Sequence, residues 1–85
     1  MAVDDVTTRH IVTSAGERVI LKCQVTAESD DVIRWLRPGD NSFISRNHDV
    51  IPEVRRRMRI ESDYSLLIQY VMYPQDQGVW VCIDG

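Results

Sequence analysis

The residues of this 85-residue chain best equipped for chemistry are two cysteines, two histidines, one acidic run and one basic run. Cys23 and Cys82 lie 59 positions apart, and as the only cysteines they allow a single intramolecular bridge. In the loop-entropy model a bridge closing such a loop contributes roughly 4 kcal/mol, a large share of a small domain's stability. The spacing fits equally two unpaired, buried thiols in a reducing compartment. His10 and His48 have no cysteine or second histidine at metal-ligand spacing and are expected on exposed loops or edges. The acidic run "ESDD" at 28–31 has the composition to attract calcium, but its place between two strand-like runs reads as a solvated turn. Glycines 16, 39, 78 and 85 occur singly, so no loop cradles a phosphate, and no serine sits in a nucleophile elbow. The expectation is a protein with no catalytic residue, cofactor or metal ion.

Charge narrows the partners. A net charge of −3 and a pI of 5.2 argue against nucleic acid, whose binders carry a strongly basic surface. The run "RRRMR" at 55–59 opposes that balance. Alternation puts Arg55, Arg57 and Arg59 on one strand face, either to meet an anionic glycan or acidic partner or simply to be solvated. No apolar stretch reaches the length of a membrane span, so no direct membrane insertion is expected. The start "MAVDDVTTRH" lacks the apolar core of a signal peptide, so a secreted protein would be represented here by a mature fragment with an added Met1. Neither Asn41 nor Asn47 begins a glycosylation sequon.

These residues must be positioned by strands, because period-two alternation dominates and no segment carries a long helical period. In "RVILKCQV", Val19, Leu21, Cys23 and Val25 share a face, and Gly16 marks the preceding turn. "DVIRWLRP" sets Ile33 and Trp35 against Arg34 and Leu36 and stops at the Pro38-Gly39 turn. "NSFIS" is a short strand, while "RNHDVIPEV" reads as loop with Pro52 as breaker. "MRI" and "SLLIQYV" follow, with Met58, Ile60, Leu66 and Ile68 as inward positions. "PQDQG" is a turn or short helical bend, and "VWVC" turns Trp80 and Cys82 one way and Val79 and Val81 the other.

The order Cys23, Trp35, Cys82 within such strands resembles an immunoglobulin domain of the variable or intermediate set. "GERVILKC" is similar to strand B, "VIRW" to C, "RMRI" to D, "YSLLIQYV" to E and "DQGVWVC" to the D-x-G-x-Y-x-C signature of F, together covering residues 9 to 82. The resemblance implies one all-β antiparallel sandwich over residues 1–85. It also implies a Cys23–Cys82 disulfide against Trp35, a core around Trp35, Trp80, Leu21, Leu66 and Ile68, and an ion pair between Arg57 and Asp76. One departure is Trp80, which stands where the family has the tyrosine whose hydroxyl bonds back to the chain.

A second departure is length. The family has a strand G after the second cysteine, and "IDG" is too short for one, so strand G is expected to be missing through truncation or supplied in trans. Strand F would then be an open edge able to pair with another chain, most simply in a two-fold homodimer. Leu36, Val79 and Val81, joined by Phe43 or Ile44, should form an apolar patch on the C, C′, F face. The combination "WLRPGD…RRRMRI…DYSLLIQYV…DQGVWVC" is similar to first ectodomains of adhesion and recognition receptors, including invertebrate neuronal ones. By that analogy the chain is an extracellular protein-recognition module of the cell surface, binding another protein or itself through that face or the F edge. Two alternatives stand beside it: an intracellular structural module of a muscle or cytoskeletal protein with reduced cysteines, and a soluble decoy binding a small ligand or glycan through its loops.

Overall fold

The computed structural model describes residues 5–11, 14–25 and 32–84. Eight strands alternate with turns: β1 (Asp5–Ile11), β2 (Val19–Leu21), β3 (Ile33–Leu36), β4 (Phe43–Arg46), β5 (Asp49–Val50), β6 (Met58–Ile60), β7 (Leu66–Ile68) and β8 (Gly78–Asp84). A 3₁₀ turn at Pro52–Val54 joins β5 to β6. The strands form two antiparallel sheets, a five-stranded one ordered β1-β8-β3-β4-β5 and a three-stranded one ordered β2-β7-β6.

The core between the sheets follows from alternation. Ile33 and Trp35 of β3, Trp80 and Cys82 of β8, Leu21 of β2, Met58 and Ile60 of β6, and Leu66 and Ile68 of β7 are all buried. Each comes from the inward positions of a strand whose other face is more polar or more exposed. Leu67 departs from that pattern: it is buried on the outer face of the middle strand, between its register partners Ile20 and Arg59. The acidic run at 28–31 lies outside the described residues.

Two sequence expectations are corrected here. The edge of β8 is not open, because β1 pairs with it along its whole length, from Asp5 opposite Asp84 to Ile11 opposite Gly78. The N-terminal segment thus occupies in cis the place expected to be empty or filled in trans. Its run Val6-Thr7-Thr8, closed by Ile11, is β-branched enough to hold an extended backbone. The segment 47–50 is also not plain loop. Asn47 at φ 55° and His48 turn the chain, and Asp49 and Val50 return as β5 against Arg46 and Ser45. Asn47 fixes this hairpin on β3, accepting the Ile33 N–H on Oδ1 at 3.0 Å and donating its own N–H to the Ile33 carbonyl at 2.6 Å.

The strand expected over 18–25 shortens to three ladder residues. Beyond Leu21, the backbone is held by side chains of β1: Arg9 Nε donates to the Lys22 carbonyl at 2.9 Å, and the Gln24 N–H donates to Thr7 Oγ1 at 3.1 Å. These bonds satisfy backbone groups that a neighbouring strand would otherwise pair, and they link β1 across to the opposite layer.

Candidate recognition face and the corner that supports it

Cys23 and Cys82 form a disulfide with Cα atoms 5.8 Å apart, bridging the two layers. Trp35 is Cys82's register partner on β3, fully buried, and its indole N–H donates to the Tyr64 carbonyl at 2.9 Å. A buried indole costs little when its donor is satisfied. Both ends of this tryptophan are therefore accounted for.

At one end of the sandwich, Asp76 gathers three elements. Its carboxylate receives Arg57 Nη1 on Oδ2 and Arg57 Nη2 on Oδ1, the latter at 3.1 Å, a two-pronged guanidinium contact. Oδ2 also accepts the Met72 N–H at 2.9 Å, and the Asp76 N–H returns a bond to the Met72 carbonyl. The Asp76 carbonyl accepts the indole N–H of Trp80 at 2.9 Å. Trp80 thus closes the turn from β7 to β8 with an N–H where a family tyrosine would use its hydroxyl. The side chain of Asp76 is 3% exposed and that of Arg57 13%, so this pair lies well inside the solvent boundary. Arg55 and Arg59 stand exposed on either side; Arg59 reaches Glu61 at 3.7 Å.

A cavity of about 250 Å³ opens beside this corner, with Met58, Met72, Trp80, Arg37 and Arg57 among its walls. Its charged groups are mostly spoken for: Arg57 by Asp76 and Arg37 Nη1 by Glu53 at 3.0 Å. The Nε of Arg37 is buried there with no hydrogen-bond partner among the described residues. Among the described residues no group of three or more His, Cys, Asp or Glu could hold a metal ion. His48 lies in the β4–β5 turn, its ring 4.5 Å from that of Tyr64.

The outer face of the five-stranded sheet is different. Register places Val6, Thr8 and His10 of β1 opposite Ile83, Val81 and Val79 of β8, and Val81 and Ile83 opposite Leu36 and Arg34 of β3. Leu36 in turn faces Phe43 of β4. Val6, Phe43 and Val79 are 58%, 53% and 42% exposed, while Leu36, Val81 and Ile83 are half-buried between them. An apolar strip therefore crosses four neighbouring strands. Ile44 is not part of it, which corrects the sequence expectation: it is fully buried in the core. The β3–β4 ladder shifts register between Trp35, opposite Ser45, and Leu36, opposite Phe43. That bulge lets Ile44 and Ser45 both turn inward, something strict alternation cannot anticipate.

Two antiparallel sheets closed by a disulfide beside a buried tryptophan define an immunoglobulin-like sandwich. Family comparison is more specific: residues 3–83 match the immunoglobulin I-set domain, and the chain belongs to that family. No curated protein and no solved structure matches the chain significantly. Immunoglobulin-like domains are generally non-catalytic binding modules that commonly engage other proteins.

Proposed function

We propose that this chain is an extracellular recognition module of a cell-surface receptor or adhesion protein, binding another protein through the outer face of its five-stranded sheet. The observation that carries this reading is the apolar strip Val6, Ile83, Val81, Val79, Leu36 and Phe43, which runs across strands rather than being scattered singly. Large exposed apolar surface on a small domain is costly to keep in water and usually marks an interface. The Cys23–Cys82 bridge supports the extracellular placement over an intracellular structural module, since such bridges persist in oxidising compartments. With the β8 edge taken by β1, pairing through β8 falls as a route to a homodimer, and face-to-face pairing of two copies is the competing use of the same surface.

The test is a tetramerised domain screened against an array of cell-surface ectodomains, with Val79→Lys and Val81→Lys as controls. Capture of an ectodomain that either substitution abolishes, in variants that keep the wild-type melting temperature, supports the reading. A captured partner indifferent to both substitutions contradicts it. Sedimentation at tens of micromolar separates the competing use: a dimer dispersed by Val81→Lys would assign the face to self-association.

A further inference from the structure

Arg34 and Arg46 are direct register partners on β3 and β4, both on the outer face of the five-stranded sheet. Like charges directly opposite in an antiparallel ladder work against the fold. Neither arginine has a carboxylate within ion-pair distance among the described residues, although Asp49 is Arg46's register partner on β5. Arg34 instead lies against Phe43, its guanidinium carbon 5.6 Å from the ring centroid. That contact favours the cation without neutralising it. Elsewhere the chain does pair such groups: Arg37 with Glu53, Arg57 with Asp76, Lys22 with Asp63. A strand pair that sets two arginines directly opposite, neither in an ion pair among the described residues, in a chain of net charge −3, is not explained by the sandwich itself.

We infer that Arg34, Arg46 and Phe43 form a binding site for an acidic segment of a protein partner, its carboxylates on the guanidinium groups and its apolar side chains on Leu36 and Val81. This rests on the proposed use of the outer face and names the chemistry of what that face takes. Guanidinium pairs bind carboxylates through parallel N–H donors, and Phe43 holds one of them ready. The neighbours favour protein over sulfated glycan: Leu36 is the next outward position after Arg34 and Val81 its register partner, so the site is half apolar, whereas a glycan would need further cations there. The carboxylates would relieve the repulsion between the arginines, so binding gains from a cost the free domain carries.

The experiment is NMR titration of the ¹⁵N-labelled domain, following the arginine Nε–H signals, with a soluble peptide carrying paired Glu residues beside a Leu. The same peptide with Lys for Glu, and heparin, are the comparison probes. The expected result is movement of the Arg34 and Arg46 signals by the Glu peptide alone, weakening with added salt. Arg34→Gln or Arg46→Gln should weaken the affinity about tenfold, and Arg46→Glu should abolish binding. Equal response to the Lys peptide, stronger response to heparin, or undiminished binding by Arg46→Glu would overturn the inference. In the ectodomain screen, a partner lost on Val79→Lys but kept by Arg34→Gln and Arg46→Gln sinks this inference and leaves the face. A partner indifferent to all of these sinks both.

Discussion

Trp80 donates its indole N–H to the main-chain carbonyl of Asp76, four residues upstream, at 2.9 Å. The donor is aromatic nitrogen rather than phenolic oxygen, yet the bond ties β8 to the turn preceding it. Trp80→Phe keeps most of the ring packing but leaves that carbonyl without its donor and a gap where the second ring was. It should destabilise the domain by about 2–4 kcal/mol in chemical denaturation. Trp80→Tyr should lose less than Trp80→Phe, because a hydroxyl restores a donor; equal losses would show that only volume matters at this position.

Arg57→Ala should cost about 2–4 kcal/mol, because it leaves the buried Asp76 carboxylate with the Met72 amide as its remaining side-chain partner. Arg55→Ala and Arg59→Ala should each stay within about 0.5 kcal/mol, as exposed arginines do. Urea denaturation of the three variants checks the ordering. Equal small effects would mean the Arg57–Asp76 pair contributes no more than its solvated neighbours.

The carboxyl of Asp63 is held down to about 2, chiefly by the backbone N–H of Ser65, which it accepts at 3.0 Å, with Lys22 at 3.3 Å adding to the effect. The carboxylate is favoured in the folded state, so its contribution is present above the ordinary carboxylate range near pH 4 and fades as pH falls toward 2. Asp40 is also lowered, through the Ser42 N–H, and acts in the same direction. Denaturation midpoints measured from about pH 5 to about pH 2 should therefore fall more steeply for wild type than for Asp63→Asn. Parallel curves would show that Asp63 does not take part.

Removing the disulfide by Cys23→Ala with Cys82→Ala should cost roughly 4 kcal/mol, since the bridge closes a loop of 59 positions. Thiol titration of unfolded, unreduced wild-type protein should find no reactive cysteine. Two reactive thiols in protein from an oxidising preparation would remove the main support for an extracellular placement.

Much of this architecture is legible in the chain because inward and outward residues alternate so regularly. Trp35 and Cys82, or Leu66 and Ile68, need only period two and a neighbouring turn to be assigned to the core. Asp76 can be found from its place in "DQGVWVC", but its bonds to Met72 and Trp80 depend on how the turn folds back. What alternation misses is where a ladder skips or where a distant segment arrives. Ile44 turns inward through a bulge between β3 and β4, and no periodic rule locates a bulge. β1 joins β8 from the far end of the chain, a pairing that local composition does not reveal. The arginine pair escapes for the same reason: Arg34 and Arg46 face one another only once the β3–β4 register is known.

The claim that the outer face of the five-stranded sheet is the recognition surface is tested most directly by methyl NMR of the domain with an ectodomain captured in the screen. Leu36, Val79 and Val81 should shift on binding, while Ile20, 49% exposed on the opposite sheet, and Leu67 beside it should stay in place. Shifts confined to Ile20 and its neighbours, with the outer strip of β3 and β8 unmoved, would contradict it.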